Sequence, residues 1–478
     1  MATMRSQMHA ARHFRTLTPT YVLSFSRSVQ SSKPRSVALP ASPFPSIPPH
    51  HAVSKPPITS PLSRLPASDV LRSYVITAMS SSPILLDACL ALLTRMLQSK
   101  SALLNVDKNP ILSWLLKKTF YAQFCAGENR AEIQSTMARI KDLGYKGVIL
   151  EYALEVLGEK GQSSLSADSA ETKAAVEHWR KGALQTVEIC APGDFVGIKW
   201  SGLGPYALQL LKQNKPPTPL MHDAITQLCD RASAKGVMLL NDAEEHATNI
   251  GIDSWNRALQ RKYNTKERGR AIVYTTYQAY DRSTPVNLAR DLAEAQKHNY
   301  ILGVKLVRGA YLNSEPRHLL WATIEETHKC YDELTESLLK RQYGDMLRPA
   351  DPENTTFPEV ELVIATHNAE SVRKARAIRD AQAANGEPRI KLAYAQLLGM
   401  ADEVSCNLLD KTRGVSRPAD VDTPFAYKCV SWGTTRECLN YLLRRAAENK
   451  DAASRTVGTR RAMGAEILRR VRSVFGAA

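Results

Sequence analysis

Short runs of β-branched and apolar residues alternate with long amphipathic stretches from residue 144 onward. The stretches, such as Asn287–Lys297 and Ala369–Ala384, repeat their apolar positions with the period of an amphipathic helix. This alternation predicts parallel strands joined by crossover helices. Eight units favour closure into an α/β fold of the (βα)8 TIM-barrel type over a doubly wound open sheet. The predicted strands are Gly147–Glu151, Phe195–Trp200, Val237–Asp242, Ile272–Tyr277, Gly303–Val307, Glu361–Thr366, Ile390–Ala395 and Ala426–Val430.

Several of the predicted strands end in polar side chains. A strand that is buried on both faces has little physical reason to end in Asp, Gln or His unless the group is used or paired. In a barrel the carboxyl ends of all strands meet on one face, where active sites are built. We therefore expect a site formed from Lys199, Asp242, Glu244, Glu245, Gln278, Arg308, Thr366, His367, Asn368 and Gln396.

The segments outside the barrel differ from it in composition. Residues 1–36 are rich in Arg and Ser and lack acids, which is typical of a mitochondrial targeting presequence and also of an ordinary basic tail. Residues 37–68 are Pro-rich and predict a disordered linker, so ordered structure should begin near Asp69. Residues 69–143 predict an N-terminal helical segment, 144–455 the barrel and 456–478 a basic helix. That last helix could rest on an anionic membrane or pack on the barrel.

Charge and cysteine usage exclude several classes of protein. The net charge is +16, but residues 1–68 carry six Arg and two Lys without an acid, so half of the excess lies in the leader. No zinc-finger or RNA-recognition signature accompanies the charge, which argues against a nucleic-acid partner. The eight Cys occur singly, which indicates reduced thiols and no zinc site. No apolar run is long enough for a transmembrane helix.

Three groups of residues have competing interpretations. Arg444 and Arg445 could clamp a small carboxylate through bidentate hydrogen bonds, or belong to a solvated helix face with Glu448. Lys199 could bind a substrate carboxylate, form a Schiff base or lie on the surface. The acids at and after Asp242 could bind a metal, as in a metal-dependent barrel lyase, or lie at a helix N-terminus. The spacing of the acids and histidines matches no known metal motif, so we predict no metal.

Eight short motifs occur in order along the chain: Phe124-Cys-Ala-Gly-Glu128, Gly197-Ile-Lys199, Asn241-Asp-Ala-Glu-Glu245, Tyr277-Gln-Ala-Tyr280, Lys305-Leu-Val-Arg-Gly-Ala-Tyr311, Ala365-Thr-His-Asn368, Gln396-Leu-Leu-Gly-Met400 and Tyr441-Leu-Leu-Arg-Arg445 with Glu448-Asn449. Together they resemble the proline dehydrogenase family, especially its fungal mitochondrial members. The resemblance implies a distorted (βα)8 barrel that binds FAD at the strand C-termini. It also implies oxidation of L-proline to Δ1-pyrroline-5-carboxylate, with electrons passed to a membrane quinone on the matrix side of the inner mitochondrial membrane.

The resemblance also implies roles for individual residues. Lys199, Arg444 and Arg445 would hold the substrate carboxylate, with Asp242 ordering the pocket beside Lys199. Glu128 would pair with Arg445 and gate the pocket. The residues that would wall the substrate ring are Leu306, Tyr311, Leu397, Cys429 and Tyr441. The residues that would lie along the flavin are Gln278, Lys305, Gly309, Thr366, His367 and Glu448.

One position departs from the family pattern. Family members usually have Tyr-x-Tyr-x-x-x-Gly after the last strand, whereas this chain has Cys429 in place of the second tyrosine, between Tyr427 and Gly433. The hydroxyproline-oxidising branch of the family also has a small residue there. Proline is therefore the expected substrate, and hydroxyproline, relaxed specificity and weak catalysis are alternatives.

Restoring the aromatic ring should improve proline binding, because it would close the space that Cys429 leaves beside the substrate ring. We expect Cys429→Tyr to lower the KM for proline about tenfold. Cys429→Ser adds no ring and should leave the KM near that of the wild type. Steady-state kinetics with proline decide the matter, and an unchanged KM in the tyrosine variant contradicts the prediction.

Overall fold

This computed structural model describes residues 60–99, 101, 103–153, 166–410, 422–448 and 453–475. Among these, the side chains of residues 410, 444, 445, 447, 448 and 453–456 are not described. The predicted presequence and all of the predicted linker before residue 60 lie outside the described part. A short 3-10 helix at Pro61–Arg64 and a helix that begins at Ala67 fall inside the predicted linker, so ordered structure begins before Asp69.

Eight parallel strands form a closed barrel in which each strand pairs with the next and the last pairs with the first. Every predicted strand is present, with its ends within two residues of the prediction. The runs form strands because their alternate residues are buried on both faces, as parallel barrel strands require. The strands are β1 (Gly147–Tyr152), β2 (Phe195–Ile198), β3 (Met238–Asn241), β4 (Val273–Gln278), β5 (Leu302–Val307), β6 (Val360–Ala365), β7 (Lys391–Leu397) and β8 (Phe425–Trp432).

Helices precede the barrel, connect its strands and follow it. The helices before β1 are α1 (Ala67–Ser80), α2 (Pro83–Gln98), α3 (Pro110–Leu116), a π-helical turn (Lys117–Tyr121), α4 (Ala122–Phe124) and α5 (Arg130–Asp142). Those between strands are α6 (Ala170–Ile189), α7 (Pro205–Lys212), α8 (Pro219–Lys235), α9 (His246–Tyr263), α10 (Thr284–Lys297), α11 (Ile324–Lys340), α12 (Ala369–Ala384) and α13 (Asp402–Asp410). The chain continues with α14 (Thr435–Glu448) and α15 (Ala453–Val474).

Side chains alternate between the barrel interior and the layer beneath the helices. The interior is filled at its lower end by aromatic rings, with Phe195 edge-on to both Tyr274 and Tyr427. The Tyr274 hydroxyl donates to Glu361 at 2.6 Å, so this buried carboxylate is paired. The lower half of the barrel is therefore packed core, and the carboxyl ends of the strands are the face on which barrel active sites are built.

The terminal helices pack on one another and on the barrel. Leu62, Leu65 and Val70 form a buried cluster with Met463 of α15. Among the described residues no single helix is long and apolar enough to cross a bilayer, whereas α1 and α2 together have the composition but are bent by 102° at their junction. A second cluster joins α2 and α3 to Leu439 of α14.

The N-terminus of α14 is held by a carboxylate from far away in the sequence. Glu128 Oε1 accepts hydrogen bonds from the backbone N–H and the hydroxyl of Thr435, both at 2.5 Å. Its other oxygen pairs with Lys117. Burial opposes ionisation of Glu128, but the hydrogen bonds from Lys117 and Thr435 outweigh it and lower the pKa. Glu128 thus supplies the capping interaction that the first turn of α14 needs.

Removing this carboxylate should destabilise the protein. We expect Glu128→Ala to reduce the free energy of unfolding by about 1 kcal/mol near neutral pH, as for loss of a helix cap. Because the folded-state pKa is lowered, the stabilisation is present above the ordinary carboxyl pKa and is lost as the pH falls through the lowered one. Urea unfolding at several pH values measures this difference. The difference in the free energy of unfolding between wild type and Glu128→Ala should become smaller in acid. Glu325→Ala, which removes an exposed acid in the first turn of α11, is the control.

Candidate active site

Four ionisable side chains and a thiol face inward at the carboxyl ends of the strands. The ion pair between Lys305 Nζ of β5 and Asp242 Oδ1, which follows β3, has a separation of 2.6 Å. The thiol of Cys429 on β8 donates to Glu151 Oε1 on β1 at 3.2 Å. Lys199 follows β2 on the same face. We call Glu151, Lys199, Asp242, Lys305 and Cys429 the polar layer.

Low solvent exposure makes the charges in this layer interact strongly. Burial raises the pKa of Glu151, the nearby Asp242 raises it further, and the two lysines act in the opposite direction without cancelling the rise. Burial works against protonation of Lys305, but Asp242 and Glu151 outweigh it and raise its pKa. Burial also raises the pKa of the Cys429 thiol well above its usual value, so the thiol stays protonated and donates. The layer therefore holds a firm ion pair and, beside it, a carboxyl group that resists ionisation.

Three members of the polar layer line a small cavity. Its walls include Tyr152, Ala153, Gly197 and Tyr441 together with Glu151, Lys199 and Asp242. The cavity volume is about 20 Å³, enough for a water molecule but too small for an amino acid. A ligand must therefore displace part of the wall. Tyr441 is the one lining residue outside the barrel strands and their adjoining residues, since it belongs to α14.

A larger cavity of about 460 Å³ lies elsewhere, between α3 and the start of α14. Val106, Asp107, Pro110, Glu128 and Thr435 are among its lining residues. No member of the polar layer lines it, so we place the candidate active site at the smaller cavity, where the buried charges converge.

The residues predicted to hold a substrate are only partly brought together. Lys199 lies over the ring of Tyr441, with Nζ 6.0 Å from the ring centroid, and both residues line the cavity with Asp242. Arg444 and Arg445 follow Tyr441 on α14, but the predicted contacts of their side chains, and of Glu448, lie outside the described residues. Glu128 binds the start of α14 rather than lining the small cavity.

Of three predicted wall residues, one lies differently from the expectation. Leu306 packs in the layer between strands and helices, where the hydroxyl of Tyr331 donates to its carbonyl oxygen. Since Lys305 points into the barrel, its neighbour must point outward, so this placement does not support contact of Leu306 with a substrate. Leu397 ends β7 in register with Cys429 and thus lies next to the polar layer. Tyr311 is half-buried in the segment after β5.

Several residues were predicted to lie along a flavin. In the structure they form hydrogen bonds that connect the loops at the mouth. Gln278 donates to the carbonyl of Glu244 at 3.0 Å and accepts from the N–H of Ala310 at 3.3 Å. Thr366 accepts from Arg308 at 2.7 Å. The ring of His367 accepts from the N–H of Leu397 at 3.2 Å. Gly309 has a φ of +138°, and a Cβ there would lie 2.5 Å from the ring of Tyr280, so only glycine fits.

A buried lysine fixes the loop that follows β7. Lys428, on the outward face of β8, donates to the carbonyl of Met400 at 3.1 Å and to Ser405 at 2.8 Å, and pairs with Asp402 at 2.7 Å. Breaking this buried ion pair would leave an uncompensated charge, which is costly. The pair therefore stabilises the observed position of the loop. The loop begins at Leu397, and Lys428 therefore sets one side of the mouth.

Glu151 is the member of the polar layer that sequence reasoning missed as a site residue. It appeared only as the last residue of a predicted strand. The rule that singled out Asp242, an acid at the end of a buried strand, applies equally to Glu151 and could have found it.

The chain is similar to a known family of proteins. The family model for proline dehydrogenase matches residues 133–457. Proline dehydrogenase 1, mitochondrial, from Arabidopsis thaliana is 26% identical over 452 residues, covering 86% of this chain and 85% of the relative. Hydroxyproline dehydrogenase from Bos taurus is 27% identical over 394 residues, covering 75% of this chain and 82% of the relative.

The fold has solved counterparts. The crystal structure of proline utilization A from Bdellovibrio bacteriovorus, inactivated by N-propargylglycine, superposes with a TM-score of 0.57 at 15% identity. The match covers 82% of this chain and 41% of that protein, which supports the barrel fold alone. The family match spans all eight strands and every member of the polar layer. The chain therefore belongs to the proline dehydrogenase family.

Proposed function

We propose that the protein oxidises L-proline to Δ1-pyrroline-5-carboxylate with bound FAD and delivers the electrons to a membrane quinone. The observation that carries the proposal is the convergence of Lys199, Asp242 and Lys305 at the barrel mouth, beneath Tyr441. An amino acid zwitterion needs a cation for its carboxylate and an acid for its amine, and this layer offers both. Bound FAD would supply the hydride acceptor, which no side chain provides.

In this proposal the residues of the chain orient the substrate. Lys199, with Arg444 and Arg445 from α14, would hold the carboxylate at one end of the rigid ring, so that one C–H bond is aimed at the cofactor. Tyr441 would close over the ring and exclude water. The ion pair with Lys305 would hold Asp242 in place beside Lys199.

One buried polar atom near the mouth would suit a cofactor with a hydrogen-bonding edge. Thr276 is in register with Lys305, so the two side chains point into the barrel together. Among the described residues the Thr276 hydroxyl oxygen is buried without a hydrogen-bond partner, which a polar atom of a ligand would satisfy. The buried cation of Lys305 would favour negative charge that develops on a reduced flavin.

Anaerobic mixing tests the proposal. The purified protein should be yellow, and proline should bleach the flavin absorption. Lys199→Met should raise the proline concentration at half-saturation about tenfold or more, because a charged hydrogen bond to the carboxylate is lost, while flavin content stays the same. A colourless protein that contains a divalent metal would instead favour a metal-dependent barrel lyase. Yellow protein that proline and hydroxyproline both fail to bleach would also contradict the proposal.

trans-4-Hydroxyproline is the second candidate substrate. Cys429 lies in the polar layer, where its small side chain leaves the carboxyl group of Glu151 on the floor of the cavity. A carboxyl group at that place could accept a hydrogen bond from a ring hydroxyl. The hydroxyproline dehydrogenase relative supports this candidate, and faster bleaching by hydroxyproline than by proline would establish it.

We also propose that the protein works in the mitochondrion at the surface of the inner membrane. The basic composition of residues 1–36 and the mitochondrial names of several relatives support the compartment. On α15, Met463 is buried against α1, whereas Val474 and Phe475 are 79% and 80% exposed. The exposed Arg461 and Arg472 on the same helix suit an anionic lipid surface.

Lipid binding should depend on the exposed apolar end of α15. Removal of residues 466–478 should abolish co-sedimentation with anionic vesicles. That truncation also removes the bonds of Arg470 to the carbonyls of Leu62 and Leu65, so Val474→Asp with Phe475→Asp is the variant that preserves the fold. Val286→Asp on α10, at a residue 71% exposed, is the control. Equal sedimentation of all variants would refute the membrane contact.

A further inference from the structure

Glu151 is a buried acid that lines the small cavity and has no part in the substrate-orienting scheme. Its carboxyl group is nearly inaccessible, with the whole residue 9% exposed. Its described hydrogen-bond partner is the Cys429 thiol at 3.2 Å, a weak donor. A buried carboxyl group with so little hydrogen bonding has acceptor capacity left for a ligand.

A glycine on the neighbouring strand leaves space for the Glu151 side chain. Gly197 of β2 is in register with Glu151, and a Cβ at that position would lie 2.3 Å from Glu151 Cγ and 2.7 Å from Oε1. Only a glycine therefore lets the carboxyl group lie across β2 towards the cavity. Gly197 lines the same cavity.

The neighbouring charges leave Glu151 as the acid available to a substrate amine. The charged and titratable groups that face it are Lys199 after β2, Asp242 after β3, Lys305 on β5 and Cys429 on β8. Asp242 is bound to Lys305 at 2.6 Å. On the proposed function, Lys199 is taken up by the substrate carboxylate. The ring ammonium of a bound amino acid then finds its complementary charge at Glu151.

We propose that Glu151 is a catalytic residue, which binds the ring ammonium of proline and accepts its proton. This inference rests on the proposed function and extends it to the proton that must leave before oxidation. The N–H bond of the ammonium breaks and an O–H bond forms on Glu151, leaving a lone pair on nitrogen. A hydride then leaves the adjacent ring carbon for the flavin, and the lone pair forms the C=N bond. The substrate loses two electrons and the flavin gains two.

The environment suits a proton acceptor. Burial and the neighbouring Asp242 raise the pKa of Glu151, which brings its proton affinity closer to that of an amine. An ordinary exposed carboxylate would be too weak a base for this transfer. The lysines keep the rise in check, so that the group can still ionise to receive the ammonium.

The test compares wild type, Glu151→Gln and Glu361→Gln as flavin-loaded proteins. Glu361 is a second buried, inward-facing acid at the opposite end of the barrel, bonded to Tyr274 and Lys391, and serves as the control for loss of a buried charge. Anaerobic flavin reduction by proline is followed across the neutral and alkaline pH range. Binding of tetrahydro-2-furoate, in which oxygen replaces the ring N–H, is measured separately from its perturbation of the flavin spectrum.

We expect Glu151→Gln to slow flavin reduction at neutral pH about a hundredfold, as for loss of a general base. The rate should recover as the pH rises and the free amine loses its proton in solution. Tetrahydro-2-furoate should bind the variant as it binds wild type, because it has no N–H for Glu151 to hold. Glu361→Gln should change neither readout.

The outcomes separate this inference from the proposed function. Wild type that proline does not bleach overturns both. Wild type that bleaches while Glu151→Gln keeps its rate and pH profile overturns the inference alone. Equal weakening of proline and tetrahydro-2-furoate in the variant would mean that Glu151 only supports the fold. A loss confined to hydroxyproline would place the carboxyl group at a ring hydroxyl and would also overturn the inference.

Discussion

Closure of the barrel by the pairing of β8 with β1 is the constraint on which the site depends. That pairing brings Cys429 and Glu151 together across 278 positions of sequence. The other strands then place Asp242 and Lys305 in the same layer. Without closure β1 and β8 would be open sheet edges, and Glu151 and Cys429 would be exposed to solvent. Burial inside a ring of strands makes their interactions strong and specific.

The lower half of the barrel stabilises the fold, and the upper half carries the groups that can do chemistry. Aromatic rings fill the lower half and give the strands a rigid support. The upper half carries charges that would be costly if they were not paired. The mouth is narrow, and Tyr441 of α14 forms part of its wall. Glu128 binds the start of that helix, so a residue that precedes the barrel helps to position a helix that follows it.

The sequence was sufficient for the strands because local pattern decides them. A short apolar run such as Val148–Leu150 is buried on both faces and is typical of a strand in a parallel barrel. The helix Ala369–Ala384 was also found with its observed ends, since Asn368 caps it. The partners of Glu128 and Glu151 could not be found this way, because each lies in a segment some 300 positions away in sequence. Alternation alone also could not say whether Lys305 or Leu306 points inward, and contact of Leu306 with the substrate ring stays a prediction that its packing in the outer layer does not support.

The close contact between Gly197 and Glu151 couples the choice of residue at one position to the choice at the other. A chain with alanine at position 197 must carry a shorter side chain at position 151, because the methyl group would occupy the place of the Glu151 Cγ atom. The two positions should therefore vary together among homologues. For protein engineering, a larger side chain at position 197 can be combined with a smaller one at position 151. Such a pair of substitutions reshapes the floor of the pocket and leaves the backbone hydrogen bonds between the two strands in place.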